Sequence, residues 1–116
     1  MTRSSSWRTY AGPIYNLSGA NLAGADLSGA DLAEANLVGA VLRAATFTNA
    51  ILEGADLRKT DLSEADLSNA NLKGVELGGG RLTATNLTGA DLSNVDLSVV
   101  DVSAADLTGA HIRASE

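Results

Sequence analysis

The chain has 116 residues, enough for one domain, and an aromatic content of 3% leaves any core to aliphatic side chains. A net charge of −6 argues against general nucleic-acid binding, which needs a basic surface. With no cysteine there is no disulfide, thiolate metal site or cysteine nucleophile, and no apolar run is long enough for a signal-peptide core or a membrane span, so the expected location is the cytoplasm.

Residues 1–14 lie outside the pattern that fills the rest of the chain. They contain Arg3, Trp7, Arg8, Tyr10 and Ile14, together with Pro13, the one proline. Such a segment reads as an N-terminal cap, with Trp7 and Tyr10 lying over the end of the body that follows; the alternative is a leader carrying expression residues.

From Leu17 to Ile112 every fifth residue is large and apolar, Phe47, Val102 and Ile112 standing among the leucines. Two residues before each comes a small one, usually Ala, as at Ala20, Ala25 and Ala30. On an α-helix a period of five advances each Leu by about 140°, so no apolar stripe forms. On a flat strand an odd period sends successive leucines to opposite faces. The chain must therefore turn as it goes and present the same face inward every five residues. That describes a solenoid, whose repeats bury their apolar faces by stacking on one another. Ala beside Leu fits a narrow interior that could not hold two large side chains per side.

Two stretches depart from regularity. In the first, Val41 and Ile51 occupy the outward position before the large residue, Thr46 does the same, and Phe47 replaces Leu inside, which predicts local widening. The second runs from Val75 to Thr85, with Glu76, Gly78, Gly79, Gly80 and Arg81. Three glycines in a row permit a bend or bulge, but no strand–GxxxxGK–helix context makes them a phosphate loop. Val95, Val99, Val100 and Val102 cluster near the end, with Val99 outward. After Ile112 only Arg113–Glu116 remain, 115–116 being the tail, too few for a capping helix, so the last turn is expected to be open; the alternative is a monomer whose C-terminal residues fold over the end. An open turn with an apolar cross-section invites self-association, and Val99, Leu107 and Ile112 are the candidate residues for a homodimer.

No constellation carries catalysis. His111, the one histidine, stands at an outward position of the last repeat with no nucleophile and orienting group assigned to it, so surface decoration is the expected role. No metal or cofactor is expected: the Asp residues lack the Gly/Asp nonapeptide signature of calcium-binding rolls, and no G-x-G-x-x-G turn is present. The outward position before the large residue is Asp nine times and Asn five. These share a side-chain oxygen but not a charge, so the position mainly wants an acceptor for backbone N–H groups at a corner. With positions twenty residues apart stacked, Asp56, Glu76 and Asp96 form an acidic column, Asp61, Arg81 and Asp101 a column neutralised in its middle, and Ser28, Thr48, Ser68, Thr88 and Thr108 a hydroxyl column. Side-chain hydrogen bonding accounts for the last better than ice binding does.

The run "ADLSGADLAEANLVGA" at residues 25–40 resembles the pentapeptide-repeat family, whose pattern is A-(D/N)-L-x-x, and the resemblance covers residues 15–114. It implies an all-β fold, a right-handed quadrilateral β-helix with four pentapeptides per coil and about five coils. The expected function is a non-enzymatic protein-binding or structural scaffold without direct nucleic-acid or membrane contact. Its candidate partner-binding residues are Asp56, Glu76, Asp96, Val41, Ile51 and Arg81. The alternative implied by the resemblance is a DNA mimic that binds DNA gyrase or a related type II topoisomerase and protects it from quinolones or toxins.

Overall fold

The computed structural model of the protein describes residues 15–113; the cap expected at 1–14 and the tail at 115–116 lie outside them. Each outward residue before the large apolar one, from Asn16 to Asp91, forms a parallel bridge with the residue twenty positions on, with the exception of Glu76. Twenty residues are four five-residue repeats, so each turn of the chain has four sides. Side one carries Asn16, Asn36, Asp56, Glu76 and Asp96. Side two carries Asn21, Val41, Asp61, Arg81 and Asp101; side three Asp26, Thr46, Asp66, Asn86 and Asp106; side four Asp31, Ile51, Asn71, Asp91 and His111.

The β structure consists of isolated bridges; among the described residues the only continuous element is a three-residue 3-10 helix, Leu97–Val99. The reason is the corner in every described repeat but the one at Leu97. The N–H of the small residue reaches back to the carbonyl of the large residue three before it, as from Ala25 to Leu22 at 3.0 Å. The residue between them at the third place of the turn has a left-handed φ near +60 to +75°, as a type II turn requires. Glycine holds that place at Gly24 and Gly79, but Glu34, Ala44, Lys59, Ala84 and others hold it too. A turn at that frequency leaves only two or three extended residues per side.

Successive turns are tied by backbone bonds on every side. The N–H of Leu57 donates to the carbonyl of Glu76 at 2.8 Å, and the N–H of Asp56 to Ala35 at 2.9 Å. Inside, Leu32 to Leu92 are buried, and so is Phe47. Leu57 and Leu77 lie in one column, both within the core. Each buried leucine contributes roughly 1.5–3 kcal/mol of transfer free energy. Leu17, Leu22, Leu27, Leu97, Val102 and Leu107, in the outermost turns, are half-buried. The widening expected around Phe47 leaves the ladder closed: Leu27 to Thr46 and Phe47 to Asp66 are both 2.7 Å bonds.

The glycine run has a packing reason at its third member. Thr60 replaces Ala at an inward position and donates its hydroxyl to the Leu57 carbonyl at 2.8 Å. Gly80 lies one turn above it, where a Cβ would stand 3.0 Å from the Leu77 oxygen and 3.3 Å from the Thr60 oxygen. The Thr60 hydroxyl would lie 3.5 Å from such a Cβ, an ordinary contact, so it is the two backbone oxygens that crowd the place. Thr85, also inward, donates to the Leu62 carbonyl at 2.7 Å, and among the described residues no buried side-chain polar atom lacks a partner.

Candidate functional site

The corner chemistry takes up most of the acidic residues. In all fourteen repeats with Asp or Asn before the large residue, Oδ1 accepts the backbone N–H two residues on, at 2.9–3.2 Å. Where Ser or Thr follows, its hydroxyl often donates to the same oxygen, as Ser68 does to Asp66 at 2.6 Å. These bonds hold the carboxylates of Asp26, Asp61, Asp66, Asp91, Asp96, Asp101 and Asp106 below the usual carboxylate range, the hydroxyl donor being the main cause at each. In the hydroxyl column, Ser28, Ser68, Thr88 and Thr108 donate in this way, so their protons point into the corner.

Six ladder positions escape that role: Val41, Thr46, Ile51, Glu76, Arg81 and His111. The candidate partner-binding residues do not form one patch. Asp56, Glu76 and Asp96 share side one; Val41 and Arg81 share side two; Ile51 is on side four, opposite Val41. Val41 and Ile51 are each 37% exposed. Backbone bridges join Arg81 to Asp61 below and Asp101 above, so the column exists as a ladder, and the cation at ion-pair distance from Asp61 is Arg43, at 3.6 Å.

Side one also holds a cation outside its acidic column. Arg58, at the corner two residues after Asp56, donates from Nε to Asp56 Oδ1 at 2.8 Å and from Nη2 to Oδ2 at 2.6 Å. Its Nε also lies 3.6 Å from Glu76 Oε1, one turn up. The Arg58 hydrogen bond is the main cause that lowers the Asp56 pKa, and Asp56 in turn raises that of Arg58. The like-charge stacking of Asp56 under Glu76 is thereby relieved.

Above Glu76 the ladder opens. Glu76 and Asp96 form no bridge, and among the described residues neither the Leu77 N–H nor the Asp96 N–H finds its ladder carbonyl. The corner slips by one residue, the Gly79 N–H bonding the Val99 carbonyl at 3.1 Å. The cause is local. Val99 stands at the third place of its turn, where the left-handed φ is unfavourable for a β-branched side chain, and it is the one described corner residue without a positive φ. The turn is replaced by the 3-10 helix Leu97–Val99, N-capped by Asp96, whose side chain accepts the Ser98 N–H at 2.9 Å. The result is a groove of about 310 Å³ lined by Arg58, Val75, Glu76, Leu77, Gly78, Asp96 and Val99, among others.

Val99 is 46% exposed at that groove, whereas Leu107 and Ile112 hold the inward positions of the last described turn, Leu107 half-buried and Ile112 52% exposed. His111 bridges to Asp91, whose Oδ1 already accepts the Ser93 hydroxyl at 2.6 Å. Among the described residues no cluster of His, Asp or Glu has the arrangement of a metal site, and no helix is long and apolar enough to cross a membrane.

A family model described as pentapeptide repeats matches in eight copies over residues 16–49, 40–79 and 81–113. Among solved structures, a pentapeptide repeat protein from the Arabidopsis thaliana thylakoid lumen is 37% identical with a TM-score of 0.54; the match covers 83% of this chain and 60% of that one. The present chain thus spans about three fifths of that relative's length. A pentapeptide repeat protein from a Nostoc cyanobacterium is 27% identical with a TM-score of 0.52, over 87% of this chain and 83% of that one. Another, from the cyanobacterium Cyanothece, is 30% identical with a TM-score of 0.44, over 84% of each chain. No curated protein sequence matches.

Proposed function

The chain belongs to the pentapeptide-repeat family, and from that premise we propose that it is a non-enzymatic scaffold, a right-handed quadrilateral β-helix of about five coils that presents one side to a protein partner. The supporting observation is the division of labour among outward residues. Asp and Asn are engaged in corner bonds, so specificity must come from the few positions and breaks that depart from them. Side one has the densest set: Arg58, Glu76 and the exposed Val99 around the open ladder, flanked by Asp56 and Asp96. Side two adds Val41 and Arg81 around the adjoining corner. Co-purification from the native host, with mass spectrometry, tests the reading. A partner retained by the wild type and lost from a D56N/E76Q/D96N variant is the expected result; identical recoveries from both would remove side one as the docking surface, and no partner for either would remove the scaffold reading.

A second reading, mimicry of duplex DNA towards a type II topoisomerase such as gyrase, draws on side three. There Asp26, Asp66 and Asp106 recur without a cation in their ladder column, on a chain of net charge −6. Arg43, Arg58, Lys59 and Arg81 interrupt the negative surface elsewhere. A supercoiling assay decides it: the mimic requires gyrase inhibition or protection that weakens with added salt, and an unaltered gyrase at micromolar protein excludes it.

A further inference from the structure

We propose that the groove above Gly78 receives a single arginine or lysine side chain of a protein partner. The proposal rests on the scaffold reading and names the chemistry of its partner. One turn below, the chain itself shows how such a place is filled. Between Asp56 and Glu76 the corner residue is Arg58, whose guanidinium grips Asp56 and reaches Glu76. Between Glu76 and Asp96 the same corner position is Gly78, which supplies no side chain. The space is open: a Cβ on Gly78 would meet nothing nearer than the Arg58 side chain at 4.0 Å.

The groove matches a cationic side chain in each part. The exposed Val99 gives an apolar wall for an aliphatic stem, over the buried Val75 and Leu77. Glu76 is mostly exposed, and its nearest cation is 3.6 Å away. Asp96 uses Oδ1 for the Ser98 N–H and hydroxyl, at 2.9 and 2.6 Å, and its Oδ2 is free to accept. Arg58, which also lines the groove, reaches Glu76 from below, but among the described residues no cation pairs with Asp96, and a guanidinium or ammonium from outside supplies one. The open ladder is what admits it.

The test is a titration of the 15N-labelled protein with a capped peptide holding one arginine among glycines, against the same peptide with citrulline. The arginine peptide is expected to give saturable shifts at the Leu77, Gly78 and Val99 amides, and citrulline none. In G78R the chain supplies its own cation, and affinity should fall at least tenfold. E76Q/D96N keeps shape and corner acceptors while removing the charge, and should give the same loss. Shifts spread equally over Asp26, Asp66 and Asp106, or affinity unchanged in G78R or in E76Q/D96N, would overturn the proposal. In co-purification from the host, recovery of the same partner by G78R and wild type also overturns it and leaves the scaffold reading standing, whereas failure of both to recover any partner counts against the scaffold reading itself.

Discussion

A single oxygen decides which residues alternate before each leucine. Asn and Asp exchange freely there because Oδ1 closes the corner in either case. Asp66→Asn should therefore leave stability nearly unchanged at neutral pH, while Asp66→Ala, which abandons the Ser68 N–H, should cost about 1 kcal/mol in a denaturant melt. The left-handed corner makes the opposite demand. Ala84 sits at φ +59°, a conformation costing a non-glycine residue roughly 1–2 kcal/mol. Ala84→Gly should raise stability by about 0.5–1 kcal/mol after glycine's entropic cost; a lower melting temperature would show that the Ala84 methyl packs usefully. The acceptor role was readable from the interchange of Asp and Asn. The left-handed corner was not, because Glu34, Lys59 and Asn69 stand there as well as glycine, and composition at that place carries no uniform mark.

The element that breaks the pattern is the corner at Leu97–Val99. Val99 is exposed, as its outward place in the repeat implies, but outward placement says nothing of the φ its turn demands. Val99→Gly should restore the regular turn, close the Leu77-to-Asp96 bond and raise the melting temperature. If instead only Val95→Ala closes it, the two valines stacked at Val75 and Val95 are the cause and the φ account fails. Arg58 lies outside the column for a different reason: the columns stack only the residues before each large apolar one, and Arg58 stands two places on, at the corner. The corners also give a pH signature. Eight aspartates, Asp56 and the seven with hydroxyl donors, have folded pKa values below the ordinary carboxylate value. Their contribution is fully present above the unfolded value near 3.9 and is lost as pH falls through the lower folded values. Thermal melts from about pH 5 to pH 2 should show a falling midpoint; a flat profile would mean the corner bonds contribute nothing.

At the scale of the molecule, the period of five with an inward Leu and Ala was enough to predict a turning chain stacked on itself, because no helix or flat strand can use that period. The interior is continuous, so damage in the middle should spread. Leu62→Ala should cost about 2–5 kcal/mol, more than Leu107→Ala in the half-buried outer turn. Self-association through Val99, Leu107 and Ile112 is proposed on the exposure of Val99 and Ile112; light scattering should show a dimer that Ile112→Glu disperses, and a strict monomer at high concentration would exclude it. The most direct measurement is amide hydrogen exchange read residue by residue. Ladder amides such as Leu57, Leu62, Leu67 and Leu72 should exchange slowly, and the Leu77 amide, in the same core column as Leu57, should exchange fast. A Leu77 amide as slow as its neighbours would close the groove on which the proposed contact depends, and fast exchange at all five would contradict the stacked coil itself.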